Sequence, residues 1–155
     1  MRVAVAGVNG IGKHHAKWYH LADAEVVAFL GSSKESCVTG AGALRAIFPF
    51  NGRPYTDFDA LLKRERPDIV DICLPNELHF VCAKKALENG SHVLCEKPMG
   101  NNADEARALH RLASRRGLVV KSTRALERAA AVSAVVLDKT GTLTRADARV
   151  EAVET

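Results

Sequence analysis

The 155-residue chain has the composition of one globular α/β domain. Hydrophobic residues make up 47% of it, and with only one Trp, two Tyr and five Phe, aliphatic side chains supply most of the core. The net charge of +4 comes from 22 Lys and Arg against 18 Asp and Glu, and the basic residues are scattered along the chain. A scattered positive charge indicates an ordinary solvated surface and argues against a nucleic-acid-binding protein.

The four cysteines, Cys37, Cys73, Cys82 and Cys95, form no CxxC pair and have no zinc-type spacing with histidines. They are predicted to be buried thiols in a reducing compartment. No apolar stretch approaches the roughly 20 residues that span a bilayer, and no signal peptide precedes the first strand. We therefore expect a cytoplasmic protein with no metal site and no membrane partner.

Taken in chain order, the pattern alternates between strands and helices. Arg2–Gly7 is a β-branched apolar run that ends in a glycine-rich turn. Residues at helical spacing follow it: Ile11, His15, Trp18 and Ala22. Glu25–Leu30 is predicted to be a second buried strand, parallel to the first because a crossover helix separates them. Gly40 and Gly42 interrupt a potential helix in residues 33–54, and the boundaries there stay open.

The next segment contains a helix, a core strand and a second helix. Thr56 and Asp59 have the spacing of a capping box that begins a short helix. Ile69–Pro75 is predicted to be a core strand, and the helix after it begins near Asn76 and ends at the Asn89–Gly90 pair. The inward face of that helix is predicted to consist of Leu78, Val81, Cys82 and Ala86.

The alternation continues beyond this helix. His92–Pro98 is predicted to be a strand with its exit loop, and Asn102 with Glu105 begins another helix that ends at Gly117, before a strand over residues 118–120. The inward positions of this helix are predicted to be Ala106, Leu109 and Ala113. Strands and helices that alternate in this way predict a doubly wound parallel sheet, the Rossmann type of α/β fold, over residues 1–120.

The turn GVNGIG, Gly7 to Gly12, lies between a strand and a helix, which is the context of a dinucleotide fingerprint. Gly7 allows the tight turn, Gly12 lets helix and strand approach closely, and the helix N-terminus attracts a pyrophosphate. Asn9 stands at the usual middle glycine; it tolerates positive φ, but its side chain must point away from the phosphates, and Gly10 relieves some crowding. The predicted pyrophosphate-binding residues are Gly7, Asn9, Gly10, Ile11 and Gly12.

The same residues also begin a G-x-x-x-x-G-K pattern, which suggests a P-loop as an alternative. A P-loop requires Ser or Thr at the next position to bind magnesium, and this chain has His14 there. The sequence therefore favours a dinucleotide over a nucleoside triphosphate.

The segment after the second strand bears on the choice of dinucleotide. A carboxylate that would bind a free ribose 2′-hydroxyl is expected about 20 residues past the fingerprint, and the chain has Ser32, Ser33 and Lys34 instead. Hydroxyls and a positive charge suit a 2′-phosphate, so NADP is favoured over NAD. The alternative is a polar loop that binds no ligand.

The strings GVNGIGKHHA, DICLPNELH and HVLCEKPM resemble the Gfo/Idh/MocA oxidoreductases over roughly residues 1–118. In that family the E-K-P segment lies beside the nicotinamide and its lysine assists binding and catalysis. The resemblance implies these roles for Glu96, Lys97 and Pro98, with Lys97 as the catalytic candidate. Residues that match the family's cofactor-bordering loop after its fourth strand are Leu74, Pro75, Asn76 and His79.

The same resemblance implies sugars or polyols as substrates, with a catalytic D-x-x-x-H pair in a separate substrate domain. No D-x-x-x-H occurs after Pro98. We therefore expect a truncated chain that binds cofactor without an acid/base partner of its own. Two alternatives stay open: a dehydrogenase that borrows a substrate domain from another chain, and a remnant that binds nothing.

Residues 117–144 resemble a different family, the heavy-metal P-type ATPases. The string DKTGTLT matches their phosphorylation site, which implies that Asp138 corresponds to the phosphorylated nucleophile. The pumps' membrane helices, nucleotide-binding insertion and later magnesium-binding aspartates are not found, so phosphoryl transfer at Asp138 is not expected. Residues 121–155 are predicted to be a fused fragment with an extra helix, a strand and a disordered tail; an ATPase phosphorylation-domain fragment is the alternative function.

Overall fold

The computed structural model describes residues 1–114, where five strands alternate with five helices. The strands are β1 (Arg2–Ala6), β2 (Glu25–Leu30), β3 (Arg53–Tyr55), β4 (Ile69–Ile72) and β5 (His92–Cys95). The helices are α1 (Gly12–Leu21), α2 (Lys34–Arg45), α3 (Phe58–Glu65), α4 (Asn76–Glu88) and α5 (Ala103–Ser114). The predicted strand over residues 118–120 and the predicted fragment over residues 121–155 lie outside the described residues.

The strands form one parallel sheet in the order β3-β2-β1-β4-β5. The chain moves outward from β1 to β3 and then crosses back to β4 on the other side of β1. The prediction of a doubly wound parallel sheet is thus confirmed. Because the order reverses between β1 and β4, the loops that leave these two strands border a crevice at the carboxyl edge of the sheet.

Both faces of the sheet are covered, which explains the continuous apolar runs in its central strands. In β1, Val3 and Val5 pack against α1 and α2, whereas Ala4 and Ala6 pack on the side of α3, α4 and α5. The side chains of β1 from Val3 to Ala6 are at most 1% exposed. Among the described residues, no helix is both long and apolar enough to cross a membrane.

The segment whose boundaries the sequence left open contains α2 and the short edge strand β3. Ser33 caps α2, because its Oγ accepts a hydrogen bond from the Ser36 amide at 3.1 Å. Gly40 lies where α2 crosses the sheet, and a Cβ there would be 2.7 Å from Val8 Cγ2. Close helix-to-sheet contact therefore explains a glycine inside a helix.

Two predicted helix faces are right only in part. In α1 the buried residues are Gly12, His15, Ala16 and Tyr19, so His15 of the predicted series is buried, whereas Ile11 is 49% exposed. In α4 the buried residues are His79, Cys82, Ala83, Ala86 and Leu87, which confirms Cys82 and Ala86, whereas Leu78 and Val81 are exposed. The polar His79 lies on the inner face of α4, and a search for apolar periodicity does not include it.

Of three helix ends that the sequence predicts, the structure confirms two. Asp57 caps α3 by accepting from the amides of Asp59 and Ala60, so the prediction that Thr56 begins the capping box is wrong by one residue. Asn102 accepts from the Glu105 amide at 2.9 Å, as predicted. Gly90 has a φ of +101°, which confirms the predicted end of α4.

Candidate functional site

The glycine turn after β1 is tightly packed on its inner side. Gly7 has a φ of +91°, and a Cβ there would lie 2.6 Å from the carbonyl oxygen of Cys73. A Cβ on Gly12 would lie 2.0 Å from the carbonyl oxygen of Gly7. Both positions therefore require glycine for the reasons that the fingerprint predicts.

Within residues 1–114, the outer side of the same turn is open, since a Cβ on Gly10 would have no neighbour within 4 Å there. Ile11, the residue before α1, provides no side-chain cap, and no acidic residue lies in the first turn of the helix. The first amides of α1 are thus available to an anion, and the turn fits the pyrophosphate of a dinucleotide.

Asn9, at the position of the usual middle glycine, is held by a neighbour from the next crossover. Its Nδ2 donates to Ser36 Oγ at 3.0 Å. Ser33 is occupied as the cap of α2, whereas Ser32 and Lys34 are exposed beside it. Ser36 was not predicted as a site residue, because its role depends on a helix whose boundaries the sequence did not define.

His79 joins the loops that follow β4 and β5. It is 1% exposed, and its ring nitrogens lie 2.7 Å from the carbonyl oxygens of Leu74 and Pro98. Leu74 also lies against the glycine turn, since its Cδ2 would be 3.3 Å from a Cβ on Gly7. The three loops after β1, β4 and β5 therefore meet around the crevice. Pro75 and Asn76 lie at the start of α4 on the same edge.

The E-K-P segment follows β5 directly. Lys97 and Pro98 are exposed and are joined by a cis peptide bond. Glu96 is half-buried, and its Oε2 accepts from the Lys97 amide at 3.4 Å. Its Oε1 is buried and has no hydrogen bond to any residue that the structure describes. The carboxylate of Glu96 thus points back into the domain while the side chain of Lys97 is accessible to solvent.

A buried polar cluster lies beneath the turn. His15 Nδ1 is 2.8 Å from Asp71 Oδ2, and Cys73 Sγ is 3.4 Å from both His15 Nδ1 and Asp71 Oδ1. Asp71 is fully buried in β4. Burial, reinforced by the negative charge of Asp71, raises the pKa of the Cys73 thiol and of the Tyr19 hydroxyl. Burial also raises the pKa of Cys95 to about 12. These groups therefore keep their protons at neutral pH.

The cluster contains the donor types of a metal site, since atoms of His15, Asp71 and Cys73 lie within 4.8 Å of one another. However, these three groups already satisfy one another by hydrogen bonds. Glu96, the next carboxylate, approaches the opposite ring nitrogen, with its Oε1 3.6 Å from His15 Nε2. Glu96 therefore lies on the wrong side of the ring to be a fourth ligand to an ion at Nδ1, and the contacts among His15, Asp71 and Cys73 are those of a hydrogen-bonded network.

The structure places the predicted site residues together along the carboxyl edge of the sheet. Asp138, by contrast, lies outside the described residues. The His15–Asp71 cluster was missed by sequence reasoning, although a carboxylate in the apolar strand IVDI was a usable signal.

Comparison with known proteins identifies the fold and the type of cofactor. A family model, Gfo/Idh/MocA, described as "Oxidoreductase family, NAD-binding Rossmann fold", matches residues 1–123. The chain is 34% identical over 122 residues to D-glucoside 3-dehydrogenase of Escherichia coli K12, an alignment that covers 77% of this chain and 33% of that protein.

Solved structures of related proteins have the same fold over about three quarters of this chain. UDP-N-acetylglucosamine 3-dehydrogenase of Acidithiobacillus ferrooxidans is 35% identical, with a TM-score of 0.65 over 77% of this chain and 37% of that one. Biliverdin reductase of Synechocystis sp. PCC 6803, solved with biliverdin and NADP+, is 26% identical, with a TM-score of 0.62 over 75% of this chain and 35% of that one. The chain spans about a third of the length of these relatives.

Proposed function

The chain belongs to the Gfo/Idh/MocA oxidoreductase family, and from that premise we propose that residues 1–120 bind NADP in the crevice between β1 and β4. The observation that carries the proposal is the turn from Gly7 to Gly12, which is closed by backbone contacts on its inner side and open over Gly10. The uncapped start of α1 supplies amides and a positive dipole end for the pyrophosphate.

The preference for NADP is supported by the loop after β2. Ser32 and Lys34 are exposed there, and the N-terminus of α2 adds a partial positive charge. NAD is the second candidate, because Glu35 in the first turn of α2 carries a carboxylate near the same place. The backbone amide of Glu35 and the side chain of Ser33 lower the pKa of that carboxyl, so it is ionised at neutral pH.

Fluorescence titration with NADPH and NADH tests the preference. We expect tighter binding of NADPH, and Ser32→Asp should reverse the order because a carboxylate repels the 2′-phosphate and accepts from a free hydroxyl. Thr39→Asp, at an exposed position further along α2, is the matched control and should leave the order unchanged. Equal affinities, or tighter NADH binding by the wild type, would contradict the assignment.

For Lys97 we propose a position beside the nicotinamide ring, which supplies the hydride chemistry when the cofactor is bound. Its exposed side chain at the carboxyl edge supports this role. Lys97→Ala should weaken the binding of reduced cofactor only modestly, because the pyrophosphate contacts of the Gly7 turn are untouched. For the whole protein we propose oxidation or reduction of a sugar or polyol, by analogy with the two relatives named as sugar 3-dehydrogenases.

We further propose that the protein is cytoplasmic, which agrees with four free thiols in the described residues. Residues 121–155 are proposed to be a separate fragment similar to a P-type ATPase phosphorylation site. We expect no acyl phosphate at Asp138 when the 155-residue polypeptide is incubated with ATP and magnesium, since the local motif alone offers too few metal ligands. Hydroxylamine-sensitive labelling from γ-labelled ATP that disappears in Asp138→Asn would contradict this.

A further inference from the structure

Four polar groups form a continuous chain from the interior of the sheet to the backbone of Lys97. Asp71 on β4 lies 2.8 Å from His15 Nδ1 on α1. The other ring nitrogen of His15, Nε2, lies 3.6 Å from Glu96 Oε1. The second oxygen of Glu96 accepts from the Lys97 amide. The helix that follows the glycine turn is thus connected to the loop that carries Lys97.

The arrangement around His15 favours the protonated ring. Each ring nitrogen faces a carboxylate oxygen, and a neutral imidazole would present a lone pair to one of them. An imidazolium donates towards both Asp71 and Glu96, and the flanking negative charges stabilise it. Cys73 Sγ also faces the ring, at 3.4 Å from Nδ1. Cys95 on β5 and Tyr19, one turn further along α1, complete the titratable surroundings, and both keep their protons at neutral pH.

The contact between Glu96 Oε1 and the His15 ring determines how the Glu96 side chain is held. The atom is buried and has no hydrogen bond among the described residues. An unpaired buried carboxylate oxygen is costly, so the charge on His15 is what allows Glu96 to point inward. With Glu96 held inward, the Lys97 amide is fixed through Oε2, and the Lys97 side chain projects from a defined backbone.

We propose that protonated His15 is a positioning residue: held by Asp71, it fixes Glu96 and through it the loop that places Lys97 at the nicotinamide end of the crevice. The proposal rests on the proposed function for the location of the nicotinamide. Loss of the His15 charge should therefore affect only one half of the cofactor. It should weaken contacts to the nicotinamide half and spare those to the pyrophosphate and adenosine half.

The test compares two ligands on the full 155-residue chain: NADPH, and 2′-phospho-ADP-ribose, which lacks the nicotinamide. His15→Gln should weaken NADPH binding by about three- to fivefold, no more than the modest loss expected for Lys97→Ala because the effect acts through Lys97, and should leave the affinity for the nicotinamide-free ligand unchanged. His110→Gln, an exposed histidine on α5, is the matched control and should change neither affinity.

Glu96→Gln provides a second variant that leaves the buried His15–Asp71 pair intact, and it should reproduce the selective loss if His15→Gln does not fold. Hydrogen exchange of the Lys97 amide in the cofactor-free chain provides a readout that needs no ligand, and both variants should accelerate it. If the wild type binds neither ligand but the Lys97 amide still exchanges faster in the two variants than in the wild type, the proposed function fails and the positioning role stands. Equal weakening of both ligands, or unchanged exchange at Lys97 in a folded variant, would overturn the proposal.

Discussion

Gly12→Ala should damage the fold and the cofactor site together. The new Cβ would lie 2.0 Å from the carbonyl oxygen of Gly7 and 3.1 Å from both the Gly7 carbonyl carbon and Val5 Cγ1. To reach an ordinary contact of 3.4 Å, the turn and the start of α1 must separate by about 1.4 Å. Because the main clash is with backbone, no side-chain rotation relieves it.

The size of the effect follows from two opposing terms. Overpacking of this kind costs about 1 to 3 kcal/mol, and a backbone clash belongs at the upper end. Alanine regains up to about 1 kcal/mol of helix propensity at the first position of α1. The net loss in the free energy of unfolding is therefore about 2 kcal/mol. The binding of NADPH should fall as well, since the displaced turn is the one that receives the pyrophosphate.

Urea unfolding and fluorescence titration measure the two effects. Gly10→Ala is the matched control: its Cβ would meet none of the described residues within 4 Å, so the free energy of unfolding should change by less than about 1 kcal/mol. Equal free energies of unfolding for Gly12→Ala and Gly10→Ala would contradict this prediction, because the inner contact of the turn would then be too loose to require glycine.

Two further predictions concern stability. Gly42→Ala should raise the free energy of unfolding by about 0.5 to 1 kcal/mol, because its Cβ meets no described residue within 4 Å. Gly40→Ala on the same helix should lower it, because its Cβ would lie 2.7 Å from Val8 Cγ2. A change of the same sign for both variants in urea unfolding would contradict this. For Glu65, burial raises the pKa, but hydrogen bonds from Tyr55 and Arg53 outweigh it and hold the pKa below its usual value. The resulting stabilisation is complete above the unfolded pKa of about 4.3 and is lost as the pH falls through the lower folded value, so Glu65→Gln should flatten the acid limb of a stability profile between about pH 2 and 7. An acid limb as steep in Glu65→Gln as in the wild type would show that other carboxyl groups cause it.

The sequence by itself determined the fold and the position of the glycine turn after β1. Both depend on local patterns: apolar runs of strand length that alternate with helical segments, and glycines at the end of β1. Gly7 and Gly12 were assigned their roles correctly because a positive φ and a close backbone approach leave a direct mark on the sequence. The role of Lys97, which the resemblance of the E-K-P segment implies, stays a prediction.

Short or polar elements were harder to predict. The edge strand β3 has three residues, one of them proline, and shows no apolar alternation. The helix α2 contains two glycines, and the reason for one of them, the contact of Gly40 with Val8 and Phe29, lies in other elements. The inner face of α4 contains His79, which hydropathy assigns to the surface.

Tertiary structure alone decided the polar network under the turn. His15 and Asp71 are 56 residues apart in the chain, and they meet because β4 inserts next to β1 only after the chain has passed through β2 and β3. A buried carboxylate is stable there only because the fold brings hydrogen-bond donors to it from another element. The pairing of β5 with β4 then brings Glu96 to the other side of the His15 ring, a contact that depends on the sheet order and that no local pattern in the sequence encodes.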